Sequence, residues 1–245
     1  MRTLKITIAY DGTRFVGWQR QAEGESIQGL LETALARFEG APVVVHGAGR
    51  TDAGVHALGQ VASLRVTCAH DVTTLTRALN AQLPEDIRVL QVEDVAEDFH
   101  ARFSARSKTY EYRMRHAAIA DPFARAYEWH VGTGLHVDAM RQGAAALVGT
   151  HDFASFRSVG TDTEGTIRTI TRSEVIDDGA LIRYVVEGNG FLRHMVRAIV
   201  GTLVEIGRGW RVPDDMEALL ARGDRSQAGA TGPPHGLFLV RVDYH

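Results

Sequence analysis

The chain has 245 residues, of which 44% are hydrophobic and 23% charged, a folded globular composition that excludes disordered and fibrous classes. At roughly 100–200 residues per domain it is one large unit or two compact halves. Its net charge is −3 and Cys68 is its one cysteine, so an intramolecular disulfide is impossible, the cytoplasm is the expected compartment, and any nucleic-acid site must be a local basic patch.

Leu4, Ile6, Ile8 and Tyr10 alternate with Lys5, Thr7 and Ala9. This is the period of a half-buried strand, and it begins without the apolar stretch of a signal peptide. Ser26 caps a helix whose Ile27, Leu30, Leu31, Ala34, Leu35 and Phe38 share one face, and Gly40-Ala41-Pro42 stops it. Residues 43–46 and 60–66 read as strands around a glycine-rich loop. A helix over 71–82 is closed by Pro84, and a strand follows over 87–95. These elements make a first half, residues 1–105.

The second half, 106–245, follows the arginine-bearing stretch 102–108. It opens on a strand in which Tyr110, Tyr112 and Met114 alternate with charged residues. A helix from about Asp138 is expected to end at Gly149, and two strands flank a tight hairpin turn at Asp178-Gly179. A further helix spans 195–206, and Pro213-Asp214-Asp215 starts another. A glycine-rich loop over 229–236 delivers the last strand, 237–242. Hairpin-connected strands mixed with helices predict an α+β fold: two α/β halves with mainly antiparallel sheets flanked by helices. No run reaches the roughly 18 apolar residues of a membrane span, so no membrane partner is expected.

Chemistry concentrates in two stretches. Gly47-Ala48-Gly49-Arg50-Thr51-Asp52-Ala53-Gly54-Val55-His56 places three glycines around a charged pair, and glycine permits sharp bends and close approach of a ligand. Taken alone, Asp52 is as well explained as a turn or cap residue. A dinucleotide fingerprint fails, because Asp52 stands where the third glycine would be and would repel a pyrophosphate. The second stretch, Gly190-Phe191-Leu192-Arg193-His194-Met195-Val196-Arg197, enters a helix that is apolar almost all round and therefore buried. Arg193, Arg197 and Gly201 fall on one stripe, the glycine leaving room for something to come close. A buried guanidinium without an anion costs about several kcal/mol. Arg197 therefore pairs with an acid or phosphate, for which Asp52 and Glu205 are both candidates, or else reaches the surface.

Tyr10-Asp11-Gly12, Phe15-x-Gly17-Trp18-Gln19, the string 49–56, Phe103-Ser104-Ala105, Lys108-x-Tyr110-x-Tyr112, His151-Asp152-Phe153, Phe191-Leu192-x-His194-Met195-Val196-Arg197 and Gly236-Leu237-x-Leu239 occur in that order. Together they resemble the tRNA pseudouridine synthase I family over nearly the whole chain. Thr231-Gly232, where that family often carries alanine, is a departure.

The resemblance implies the pseudouridine synthase fold, with an active-site cleft between the halves. It implies an isomerase that converts uridine to pseudouridine at positions 38, 39 and 40 in the anticodon stem and loop of tRNA, acting as a homodimer. By motif, Asp52 is the nucleophile, Arg197 the cation that keeps it ionised and Tyr110 the ring beneath a flipped uracil. Arg50 fills the vacated space and Leu237 walls the pocket. Arg14, Arg20, Arg102, Arg106 and Lys108 are candidates for phosphate contact. The reaction is redox-neutral and needs no activated donor, so no cofactor and no metal are expected. A retaining glycosidase would need a second acid about 5–5.5 Å from the first, and no acid flanks Asp52. A non-catalytic RNA-binding module would make Asp52 structural.

Overall fold

A computed structural model describes residues 1–158 and 165–245. The opening alternation becomes β1, Arg2–Tyr10, with Leu4, Ile6, Ile8 and Tyr10 buried and the intervening residues half-buried. Helix α1, Ile27–Glu39, begins where the Ser26 hydroxyl accepts the Gly29 N–H, and it ends at Gly40 in the left-handed conformation. It buries Ile27, Leu31, Ala34 and Leu35. β2 is only His46–Gly47, shorter than the strand expected over 43–46. The reason is local: Gln28 donates to the Val45 carbonyl and Glu32 accepts the Val45 N–H, so side chains of α1 take the groups that a partner strand would use. β3, His56–Val66, α2, Val72–Gln82, and β4, Ile87–Val95, follow. Asp71 caps α2 by accepting the Thr74 N–H.

β5, Ser107–Arg115, carries Tyr112 and Met114 on its fully buried face. β6 is Trp129–His130 and α3 is Val137–Ala145. The helix stops short of Gly149, which instead opens β7, Gly149–Asp152, at a φ of 121° that no helix accommodates. β8, Ile167–Asp178, and β9, Leu181–Gly188, form the expected hairpin. Since Asp178 pairs with Leu181, the two-residue turn is Gly179-Ala180, one position later than Asp178-Gly179. Helices α4, Met195–Gly207, and α5, Asp215–Arg222, precede β10, Leu237–Asp243.

Met1–Arg106 and Phe238–His245 form one compact unit, and Ser107–Leu237 the other. In the first, β4, β1 and β3 are antiparallel neighbours and β10 joins β3 in parallel, Phe238 opposite His56. Residues 238–245, grouped with 106–245 from the sequence, thus fold with the N-terminal unit. Alternation within a strand identifies its faces but not its neighbour. In the second unit the order is β5-β9-β8-β7, all antiparallel, with β6 parallel to β5. The range 106–245 also includes residues 159–164, which lie outside the described residues. Both units are α+β with mainly antiparallel sheets flanked by helices. Among the described residues no helix is long and apolar enough to cross a membrane.

Only Arg197 and Glu205 of the 13 residues of α4 escape full burial. They lie on the stripe that contains Gly201, and the backbone of residues 229–232 runs along it. The Gly232 N–H donates to the Arg197 carbonyl, the Ala230 N–H donates to Glu205, and the Ala230 carbonyl comes so near Gly201 that a Cβ there would stand 1.6 Å from its oxygen. What approaches Gly201 is therefore main chain. Glu205 is also bonded to Arg211 Nε at 2.5 Å. Overpacking typically costs about 1–3 kcal/mol, and a carbonyl fixed by its neighbours relaxes poorly. Gly201→Ala is expected to lower the urea midpoint by the equivalent of at least about 2 kcal/mol, with the slope of the transition unchanged.

Candidate active site

The string 47–56 lies between β2 and β3 in the first unit, and it is held from beneath by residues distant in sequence. The Tyr10 hydroxyl stands 2.8 Å from the Thr51 hydroxyl. Gln60 Nε2 donates to the Gly49 carbonyl at 2.9 Å and reaches the Tyr10 hydroxyl at 3.4 Å. Tyr10, Thr51 and Gln60 are all buried, and a buried polar chain of this kind rigidifies what it holds. Burial pushes the Tyr10 hydroxyl up to about 12, against the pull of its bonds to Thr51 and Gln60, so it remains a protonated donor. Since Gln60 donates to Tyr10, the Tyr10 proton is directed to Thr51.

The main chain adds further ties. The Trp18 N–H donates to the Thr51 carbonyl at 3.0 Å. A Cβ on Gly12 or Gly17 would stand 2.0 Å from the Val55 oxygen or 2.6 Å from the Thr51 oxygen, so both motif glycines serve close backbone approach. His56 is buried and stacked on Phe238 at 4.7 Å. Its Nδ1 accepts the Gly12 N–H at 3.0 Å. The Asp11 carboxylate stands 3.2 Å from the same atom.

The Asp52 carbonyl accepts the Val55 N–H at 3.1 Å, closing a β-turn over 52–55. Gly54, third in that turn, has a φ of 76°, as a type II turn demands. Thr51 is buried, Asp52 half-buried and Ala53 exposed, which puts the acid at the surface of a rigid support. Aspartate is common in turns generally, so this geometry satisfies the structural role as well as a chemical one. Arg50 is exposed, with no hydrogen-bond or ion-pair partner among the described residues. Arg14 is exposed and lies between Asp86, at 2.6 Å, and Glu25, which offset its charge on the spot. Arg20 is exposed with Glu32 at 3.5 Å, and Arg102 and Arg106 are exposed.

Lys108, Tyr110, Arg197 and Leu237 belong to the second unit. Lys108 is half-buried on β5, opposite Gly188. Tyr110 is buried, with its ring edge-on to Phe191 at 5.0 Å and 76°. The half-buried Arg197 donates from Nε to the Gly232 carbonyl at 2.8 Å, which orients its guanidinium. At the entry to α4, His194 has a φ of 62°, the one positive φ outside glycine among the described residues, and its Nδ1 is hydrogen-bonded to the Ser158 hydroxyl. Such a backbone costs about 1–3 kcal/mol and persists only where surroundings impose it. The loop that carries Gly232 is braced by Arg225, which donates to the Ala228 and Gly229 carbonyls and to the Thr231 hydroxyl. The departure at Thr231 thereby has a local use. Tyr112 donates to the Pro233 carbonyl at 2.7 Å, and the loop ends at buried Leu237.

Sequence reasoning did not find Gln60, or the bracing roles of Tyr10 and His56. The available signal was a glutamine inside the buried run of β3, at a position flanked by apolar residues.

The family described as tRNA pseudouridine synthase matches residues 6–104 and 144–245. The tRNA pseudouridine synthase A of Geobacillus kaustophilus is 48% identical over 243 residues, covering 98% of this chain and 94% of that protein. Those of Moorella thermoacetica and an Exiguobacterium species are 46% and 45% identical, each across 100% of this chain and 100% and 98% of their own lengths. A chain in the crystal structure of a Cbf5-Nop10-Gar1 complex superposes at a TM-score of 0.38 and 11% identity, over 96% of this chain and 48% of that one, a likeness too slight to carry an argument. The chain belongs to the tRNA pseudouridine synthase family, a family of isomerases.

Removing the Tyr10 hydroxyl strands Thr51 and Gln60, and an unsatisfied buried group costs about 1–3 kcal/mol. Tyr10→Phe and Thr51→Val are each expected to lose about 1–2 kcal/mol of unfolding free energy in chemical denaturation. The double variant should lose clearly less than their sum, since the two groups share one bond.

Proposed function

We propose that the chain isomerises uridine to pseudouridine at positions 38, 39 and 40 in the anticodon stem and loop of tRNA, with Asp52 as nucleophile. The observation that carries this reading is the support under Asp52: a half-buried carboxylate on a turn tied down by Tyr10, Gln60, Trp18 and Thr51. A turn kept for shape alone does not require a buried polar chain beneath it, whereas a reacting group gains from fixed geometry.

The reaction breaks the bond from sugar carbon to uracil nitrogen and makes one to uracil carbon, so the atoms of the nucleotide are conserved and no redox partner is involved. A carboxylate can attack the sugar or the uracil ring, or take a sugar proton, as the glycosidic bond weakens. The target base has to leave its helical stem, at about a few kcal/mol of unstacking. Arg50, exposed beside Asp52, is proposed to occupy the space it leaves. Tyr110, steadied by Phe191, offers a ring face to the flipped uracil, for which stacking contributes about 1–3 kcal/mol. Leu237, at the end of the braced loop, supplies an apolar wall. Arg197, its guanidinium oriented by Gly232, is the proposed cationic partner of Asp52. Arg20 and Lys108 are the proposed phosphate contacts. Arg14, matched by two acids, is the weaker candidate. The proposed assembly is a homodimer.

Asparagine fills the first position of a turn about as well as aspartate but is no nucleophile. Asp52→Asn is expected to keep its fold and its affinity for tRNA while pseudouridine formation, mapped by mass spectrometry in tRNA incubated with the protein, disappears. Retained activity would end the assignment and leave a structural acid. Binding of tRNA is further expected to weaken steeply with added salt, because phosphate neutralisation releases counterions; a flat dependence argues against basic contacts.

A further inference from the structure

One motif of the sequence, Phe103-Ser104-Ala105, has no place in the chemistry above, and it lies on the surface of the first unit. The Phe103 ring is 78% exposed. A single exposed apolar side chain is ordinary, but this one belongs to a row of rings. His46 and His100 have centroids 5.0 Å apart at 38°, and His100 and Phe103 are 4.4 Å apart at 35°. The Arg102 guanidinium stands 5.6 Å from the Phe103 centroid.

The row is fixed in place. His100 Nδ1 accepts the main-chain N–H groups of Arg102 and Phe103, at 3.1 and 3.3 Å. The Ser104 hydroxyl accepts the His100 N–H, and the Ser104 N–H returns to the His100 carbonyl. Below, the Ser63 hydroxyl accepts the Ala101 N–H at 2.9 Å, and the Tyr244 hydroxyl donates to the Ala101 carbonyl at 2.8 Å. The main chain that carries the ring is therefore already ordered, and a partner meeting it has little backbone ordering to impose. Partial burial, reinforced by His46 and Arg102, pushes the His100 imidazole below its ordinary range, so it backs Phe103 as a neutral aromatic face.

The chemistry around the ring selects its partner. The side chains in contact with the ring include His100 and Arg102, both polar. A largely exposed aromatic ring, backed by the His100 imidazole and with the Arg102 guanidinium over it at 5.6 Å, suits a nucleobase and the phosphate attached to it, and base stacking on an aromatic ring is tolerant of sequence. We propose that Phe103, backed by His100 and His46, is a stacking platform for an unpaired base of the tRNA substrate, with Arg102 contacting the adjoining phosphate. This rests on the reading of the chain as a tRNA-modifying enzyme and adds a recognition surface to it.

The test measures the dissociation constant for tRNA at several salt concentrations, and the oligomeric state by sedimentation, for the unaltered protein and for Phe103→Ala, Phe103→Trp and Arg102→Ala. Because both residues are exposed, the variants are expected to fold. Phe103→Ala should weaken tRNA binding about tenfold, within the range for losing one stacked base, and Phe103→Trp should restore it. Arg102→Ala should reduce the slope of log affinity against log salt by about one. Equal affinity of the unaltered protein and Phe103→Ala overturns the platform and leaves the proposed function standing. A change in oligomeric state at unchanged tRNA affinity assigns the surface to a second copy and also overturns it. An unaltered protein with no affinity for tRNA overturns both.

Discussion

The 2.8 Å contact between the Tyr10 and Thr51 hydroxyls is the constraint on which the glycine-rich loop of the first unit is organised. It joins the end of the first strand to the middle of a loop some forty residues on, in a place from which water is excluded. A loop with three glycines has many conformations of similar energy, and a buried, satisfied hydrogen bond selects among them because leaving either hydroxyl unpaired is expensive. Gln60 extends the selection to Gly49, and Trp18 to the Thr51 main chain. The Tyr-Asp-Gly, Gly-Trp and Gly-Arg-Thr-Asp motifs are therefore parts of one packed object. That explains why residues so far from Asp52 in sequence belong with it.

The second unit solves a similar problem with backbone. Its loop 229–233 is laid on the one stripe of α4 that carries Arg197, Gly201 and Glu205, and each of the three meets it in a different way: a donated bond, a missing side chain and an accepted bond. Arg197 is the oriented cation of a helix in which only it and Glu205 escape full burial. The loop that orients it also leads into Leu237. One packing arrangement thus fixes a charge and the entry to β10 together.

Much of this was legible beforehand, and for a definite reason. Strand β1, helices α1 and α4, the β8–β9 hairpin and the Ser26 cap are written in periods and turn residues that act over a few positions. Three local readings shifted in the folded chain, the β8–β9 turn by a single position. The strand expected over 43–46 shrank to His46–Gly47 because Gln28 and Glu32 claim Val45, and the helix expected to reach Gly149 ended at Ala145.

The sequence by itself determined most of the elements and their order, though not the short strands β6 and β7, together with the mixed α+β class and the motif string that places this chain in its family, because periodicity, capping and residue chemistry are local properties. The tertiary structure alone decided that β10 leaves the second half to lie beside β3, that the space at Gly201 is filled by a carbonyl, and that Tyr10, Gln60 and His56 brace the loop of Asp52. Those outcomes depend on which surfaces are buried against one another, and burial is settled by contacts between residues that no local pattern connects.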